Sequence, residues 1–207
     1  IINEAVQESK IEVALKEIEA LWSLESLELK KYTKDGSDRG YILCAADDIK
    51  LQLEDHMLNL QTMSGSRFVR IFVEKTKFWE KQLNIVVEAL DIWFVVQRKW
   101  MYLESIFIGA EDIRLQLPEE AKKFDGIDKA FRTIMNATNN DSNVVSACCA
   151  ESRLETLNGL SERLDKCQKS LTDYLDTKRN AFARFYFISN DELLSVLGSS
   201  DPTMIQV

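Results

Sequence analysis

The spacing of apolar positions changes several times along the chain, and each change marks an element. Ile11, Leu15, Ile18 and Trp22 recur at steps of four, three and four, which places them on one face of a helix over about residues 3–24. Glu8, Lys10, Glu12, Lys16 and Glu17 fill the other faces. The period then drops to two, because Leu27 and Leu29 alternate with polar residues. Tyr41-Ile42-Leu43-Cys44 is β-prone, and the turn cluster Lys34-Asp35-Gly36-Ser37-Asp38-Arg39-Gly40 precedes it, so a β-hairpin is predicted. Helical spacing returns with Ile49, Leu53, Met57, Leu60 and Met63, opened by Asp47-Asp48 and closed by Ser64-Gly65-Ser66.

The longest predicted element follows. Trp79, Val86, Trp93 and Trp100 are spaced by seven, and Leu83, Leu90 and Gln97 fall four residues after the first three. That is a heptad seam with one polar interruption. Residues 67–108 contain no Gly or Pro. A helix over about 68–106 would reach roughly 57 Å, more than a small globule needs. Gly109 breaks it. A short turn over 111–115 leads to Pro118, and Pro118 with Glu119 and Glu120 is a helix start. Ala121, Phe124, Phe131 and Ile134 or Met135 carry the apolar face of the next segment, with Gly126 a point of possible division and 138–143 a polar loop. A second seam joins Leu157, Leu164 and Leu171 to Leu160, Cys167 and Tyr174 in a helix over about 151–180. Residues 184–188 (RFYFI) are predicted to form a short strand. Ser189-Asn190-Asp191-Glu192 matches a capping box ahead of Leu193, Leu194, Val196, Leu197 and a terminating Gly198, with 199–202 leading out. The predicted fold class is mainly α: an elongated bundle of long helices with a small β-hairpin and one short extra strand.

Composition narrows the function classes. The 207 residues include only 2 Pro and 7 Gly. So few turn residues argue against all-β and collagen-like folds. Acids outnumber Lys and Arg by 34 to 26, and the net charge of −8 argues against general binding to a phosphate backbone. The local basics Lys75, Lys77, Lys81, Arg98 and Lys99 are read as a solvated face. No apolar run approaches the ~20 residues of a membrane span. No glycine is followed by Lys-Ser or Lys-Thr, and no G-x-G-x-x-G occurs, so neither phosphate-binding loop is present.

Catalytic chemistry is equally sparse. A Cys–His or Ser–His pair would have to use His56, the sole histidine, which is read as a boundary helix residue. Cys44, Cys148, Cys149 and Cys167 form no C-x-x-C and are read as reduced packing residues of a cytosolic-type compartment. The acid pairs Asp47-Asp48, Glu111-Asp112 and Glu119-Glu120 all sit at predicted helix starts, where the macrodipole accounts for them. The reading assigns no catalytic, cofactor-binding or metal-ligating residue. Both ends, IINEAVQESK and Met204-Ile205-Gln206-Val207, are expected to have been cut from a longer chain.

Several ordered stretches resemble one family. Residues Trp93-Phe94-Val95-Val96-Gln97-Arg98-Lys99-Trp100-Met101-Tyr102-Leu103-Glu104-Ser105-Ile106-Phe107 resemble the W-x-x-x-Q-x-x-W-x-Y-L-E-x-I-F signature of the dynein heavy-chain linker. Gln61–Ser66 upstream, Glu111-Asp112-Ile113 and Gln116–Glu120 after it, Tyr174–Arg179, and Arg184–Leu194 continue the resemblance in order over nearly the whole chain. The wording of 117–129 and 167–171 is more similar to axonemal than to cytoplasmic heavy chains. The sequence departs from the family at Arg67, Ile71, Ser105 and Ala183, where relatives carry Pro.

The resemblance implies a mechanical role. The linker is a mostly helical lever lying across the AAA+ ring of the same heavy chain, and its ATP-driven swing is the power stroke. ATP and Mg would sit in that ring, with no cofactor in this segment. The implied partners are the ring itself, dynein intermediate and light chains and other heavy chains through the tail, and microtubules through the distant stalk. No nucleic acid or membrane is implied, and the setting would be the cytoplasmic cytoskeleton and the axoneme of cilia and flagella. The whole of 1–207 would be part of the linker, with sub-blocks 1–108 and 109–207. The helix seam of Trp79, Trp93, Trp100, Leu157, Leu164 and Leu171 would supply stiffness. Gly109, Pro118 and Asn140 are candidate hinge residues, and Ser189, Asn190, Asp191 and Glu192 a candidate ring-contact element. Two other readings compete: a spectrin-like helical scaffold, and a thiol enzyme pairing a Cys with His56. The hairpin and the extra strand favour the linker over the scaffold.

Overall fold

The computed structural model describes residues 2–34, 36–109 and 111–198. Helix α1 (Ile2–Leu24) leads into a hairpin of β1 (Leu29–Lys34) and β2 (Ser37–Leu43). Helices α2 (Asp47–Ser64), α3 (Val73–Phe107), α4 (Glu111–Gln116), α5 (Pro118–Asn140), α6 (Val144–Cys148), α7 (Arg153–Ala181) and α8 (Asn190–Gly198) follow. Short 3-10 turns occupy Arg70–Phe72 and Ala183–Phe187. The mainly α class with one small hairpin is the one the apolar spacing predicts. The lead-out at 199–202 and Asp35 of the turn cluster lie outside the described residues.

The strands pair antiparallel from Leu29 opposite Leu43 to Lys34 opposite Ser37. Their register shifts between Lys31 and Thr33. Gly40, with φ 96°, sits on the facing strand, and its N–H donates to Asp38 Oδ1 at 2.8 Å. A side chain would strain that backbone, so the irregularity falls where the sequence supplies a glycine.

Five expectations are corrected. Helix α3 starts at Val73, not near 68, because 66–72 close into local turns. There the Val69 N–H donates to the Ser66 carbonyl and the Phe72 N–H to the Val69 carbonyl. Gly126 does not divide α5; the helix runs through it, and an added Cβ would meet Arg163 Nη2 at 3.1 Å. The polar loop at 138–143 shrinks to 141–143, since α5 continues to Asn140. The extra strand at 184–188 is a 3-10 turn. A strand needs a partner edge, and among the described residues the sheet has two strands only. Local bonds take over instead: Phe185 N–H to the Phe182 carbonyl, and Arg179 Nη2 to the Ile188 carbonyl. Finally, the α7 seam ends on Leu175, which is buried, whereas Tyr174 is half-buried. A straight helix drifts from a strict seven-residue repeat, so the stripe slips by one position.

The chain forms two compact units, one of residues 1–94 and 134–157, the other of 95–133 and 158–207. Each draws on two chain segments. In the first unit the α1 face of Ile11, Leu15, Ile18 and Trp22 is buried, as are Leu53 and Leu60 of α2 and Leu83, Val86, Leu90 and Trp93 of α3. Trp22 Nε1 donates to His56 Nδ1 at 3.0 Å, and Trp93 Nε1 to Met135 Sδ at 3.3 Å. In the second unit Trp100 Nε1 donates to Asp128 Oδ1 at 3.0 Å, and the Trp100 ring lies 4.7 Å from Phe131. Phe107 stacks on Phe124 at 5.5 Å. Lys99 Nζ reaches Asp165 Oδ1 at 2.6 Å and Ser161 Oγ at 3.1 Å. No helix among the described residues is long and apolar enough to cross a membrane.

These contacts set a stability ranking. Trp93→Ala empties a fully buried site and is expected to cost about 3–5 kcal/mol. Gly159→Ala, inside α7 with nothing within 4 Å of an added Cβ, is expected to add about 0.5–1 kcal/mol. Urea denaturation of both variants checks the order, and a destabilised Gly159→Ala would show that α7 packs differently at that point.

Candidate functional site

The candidate residues fall on the buried seam and at the joints where helices stop. All three seam residues on α3, Trp79, Trp93 and Trp100, are buried, and so are Leu157, Leu164 and Leu171 on α7. The glutamine that interrupts the α3 heptad, Gln97, is buried with them.

The joint between α3 and α5 holds two of the three candidate hinge residues. Gly109 follows α3, and an added Cβ would stand 2.7 Å from the Ser105 carbonyl oxygen, too close for any side chain without a shift. Pro118 opens α5 with Glu119 and Glu120 in its first turn. Between them Arg114 of α4 acts as a strap. Its Nη1 donates to the Phe107 carbonyl at 3.2 Å and to Asp125 Oδ1 at 2.9 Å, and its Nη2 donates to Asp125 Oδ2 at 2.7 Å. One guanidinium thus ties the end of α3 to α5 through a bidentate fork. These hydrogen bonds hold the Asp125 carboxyl below the usual carboxylate range. The third candidate, Asn140, is the last residue of α5, not a loop residue.

The loop that does follow α5 is clamped by Asn143. Its Oδ1 accepts the Ser146 N–H at 3.0 Å and so caps α6. Its Nδ2 faces the end of α1, donating to the carbonyls of Trp22 at 3.0 Å, Ser23 at 3.3 Å and Glu25 at 3.1 Å. Those carbonyls belong to the group a helix end leaves without intrahelical partners. Backbone bonds flank the amide: Leu27 N–H to the Ser142 carbonyl at 2.7 Å and Val144 N–H to the Glu25 carbonyl at 3.0 Å. One side chain caps two helix ends that lie far apart in sequence.

The candidate ring-contact element is also engaged. The Ser189 N–H donates to Glu192 Oε2 at 2.8 Å, and the Glu192 N–H to Ser189 Oγ at 3.2 Å, the reciprocal capping box. The bonds from Ser189 hold the Glu192 carboxyl below its usual range. Helix α8 packs against α4. Burial, with the Asp191 carboxylate adding to it, pushes the Tyr102 hydroxyl up.

Thiol chemistry finds no support. Burial pushes Cys148 up to about 12 and Cys149 up to about 11, so both stay protonated at neutral pH. His56 Nδ1 accepts the Trp22 indole N–H. The basic residues divide: Lys75 pairs with Glu19 at 2.5 Å and Lys99 with Asp165, while Lys77, Lys81 and Arg98 are exposed.

Comparison with known proteins gives these joints their context. A family model described as dynein heavy chain, N-terminal region 2, matches residues 1–207. The chain belongs to the dynein heavy chain family. It is 55% identical over its full length to human dynein axonemal heavy chain 10 and 53% identical to the Chlamydomonas reinhardtii dynein-1-alpha heavy chain of the flagellar inner arm I1 complex. It is 38% identical to the ciliary dynein beta chain of Tripneustes gratilla. The chain spans only 5%, 4% and 5% of those three relatives.

Within this dynein segment, the signature of residues 93–107 lies wholly on α3. Its lettered positions Trp93, Gln97, Trp100, Leu103, Glu104, Ile106 and Phe107 are all buried, and only Tyr102 is half-buried. The signature is a packing pattern. Sequence reasoning missed Arg114 and Asn143. Asn143, placed just before Val144-Val145-Ser146, carried a legible N-cap signal; nothing in the sequence paired Arg114 with Asp125, eleven residues on.

Two outcomes follow for the dynein segment. Asn143→Ala removes the cap, worth about 1 kcal/mol, and the donors to three carbonyls, worth about 1–3 kcal/mol more. Asn143→Asp keeps the cap acceptor but turns a carboxylate on those carbonyls, so it is expected to be the less stable of the two in urea; a wild-type midpoint for Asn143→Asp would remove the clamp. Asp125 and Glu192 have lowered folded-state pKa values, so their stabilisation is present at neutral pH and lost as pH falls through those values. Amide protection, measured against the intrinsic exchange rate at each pH, is expected to drop at Ser189 and near Arg114 below about pH 4, ahead of global unfolding. Uniform protection across the titration would contradict both straps.

Proposed function

We propose that this chain is part of the mechanical linker of an axonemal dynein heavy chain. It would carry ATP-driven changes of the ring to the tail and so drive ciliary and flagellar motion. The observation that carries the reading is the match of all 207 residues to the N-terminal region 2 model, with relatives named as axonemal, flagellar and ciliary. No glycine of this chain precedes Lys-Ser or Lys-Thr, the pattern of one phosphate-binding loop. In this reading ATP and Mg belong to the ring outside it, and the partners are the ring, other dynein chains through the tail, and microtubules through the stalk.

Physical arguments support a lever. Helix α3 has 35 residues without Gly or Pro, about 52 Å at ~1.5 Å per residue. Its apolar seam is buried throughout. Compliance is assigned to the joint from Gly109 to Pro118, where α3 has ended, the short α4 intervenes and one ion pair braces the turn. Asn140 is the weaker hinge candidate, being helical and followed by the Asn143 clamp. The element Ser189–Glu192 remains the proposed ring contact, its capping box fixing the start of α8.

The test uses intact heavy chains carrying Gly109→Pro or Asn140→Pro. Gly109→Pro is expected to lower microtubule gliding velocity severalfold while ATP hydrolysis continues, an uncoupling of stroke from chemistry. Asn140→Pro removes an intrahelical bond, costing about 3 kcal/mol, and is expected to reduce motor yield more than velocity per motor. Unchanged velocity with both substitutions would sink both hinge assignments.

A further inference from the structure

Helices α2 and α3 each carry a second stripe besides the buried one. On α2 it runs Lys50, Glu54, Met57, Gln61, and on α3 it runs Glu80, Asn84, Val87, Asp91. Both have the same spacing of four, three and four, which holds one face over about three turns, roughly 16 Å. Between the stripes, within the first unit, lies an open groove of about 680 Å³. Leu58 stands in it 62% exposed.

The charges on its edges do not balance. Three carboxylates, Glu54, Glu80 and Asp91, face one ammonium, Lys50. Lys50 is engaged by Asp91 at 2.7 Å. Among the described residues Glu80 accepts from a neutral hydroxyl, Ser64 Oγ at 2.6 Å, and from no cation. Two negative charges are left along an apolar floor. A neutral or acidic helix covering this groove would strip water from those carboxylates without pairing them, which is costly. A helix that brings cations at its flanks pairs them instead.

We propose that the α2–α3 groove is a docking site for an amphipathic helix of about three turns, with an apolar row flanked by Lys or Arg, supplied by another segment of the same heavy chain. The matched stripes set its length, Leu58 is its apolar contact, and Glu54 and Glu80 are its charge partners. The source follows from size. The chain spans 4% to 5% of its relatives, so most of such a heavy chain lies outside it. Tethered segments compete at effective concentrations that reach the order of mM, far above those of separate subunits. This rests on the reading of the chain as one segment of a full heavy chain.

The experiment places a photoactivatable benzophenone amino acid at position 58 of the full-length heavy chain and identifies the adduct by mass spectrometry. The expected adduct is a peptide of the same heavy chain with apolar residues at helical spacing and flanking Lys or Arg. Its yield is expected to fall about fivefold when Glu54→Lys and Glu80→Lys are combined, and also in high salt. No adduct, an adduct on an acidic or unpatterned peptide, an adduct on another subunit, or a yield indifferent to charge reversal would each overturn the proposal. A heavy chain that is uncoupled by Gly109→Pro yet forms no adduct at position 58 sinks the groove and leaves the lever reading standing.

Discussion

A buried indole N–H has to find an acceptor, and that requirement sets the register on which this fold depends. Trp93 and Trp100 are fully buried and seven residues apart on α3. Their acceptors, Met135 and Asp128, are also seven apart on α5, in the opposite chain direction. A helix pair held only by Leu and Val could slide by a turn at modest cost. Two indoles with fixed donors cannot, because a slip would leave each N–H buried and unpaired. Trp93 and Met135 lie in one compact unit, and Trp100 and Asp128 in the other.

The breaks in the chain are less soft than their composition suggests. Gly, Asn, Asp and Ser collect where α3 and α5 end, and such residues mark turns. At both places a single polar side chain spans the break. Arg114 ties α4 to the last carbonyl of α3 and to α5, and Asn143 fills unpaired groups at the end of α1 and the start of α6. The two differ in kind. The Arg114 fork is partly exposed and ionic, so water and salt weaken it. The Asn143 amide is neutral and part-buried, and is indifferent to salt.

How much could be read from the sequence depended on the range of the cause. Apolar spacing fixes which face of a helix is buried, and the seams at 79–100 and 157–171 were legible for that reason. So was the Ser189–Glu192 box, whose two bonds close within four residues. The strand expected at 184–188 failed because aromatic and β-branched content says nothing about whether a partner edge is in reach. Gly126 was misjudged because its role is to leave room for Arg163, a residue on another helix. Arg114 and the acceptors of the tryptophans are tertiary pairings that no local pattern encodes. The family, by contrast, was legible from residues 93–107, where seven of the eight lettered positions are buried and pack by shape.

That burial has a consequence for how inherited or induced variants would show themselves. A substitution among Trp93, Trp100, Leu103 or Phe107 damages the core first. Losses of a few kcal/mol raise the fraction of unfolded chain that cellular quality control removes. Such alleles would act by dosage, lowering the amount of folded chain. A variant at an exposed residue such as Leu115 removes no buried contact and leaves the amount of folded chain intact. The two groups would differ in what reveals them: the first shows in the amount of folded chain, the second does not.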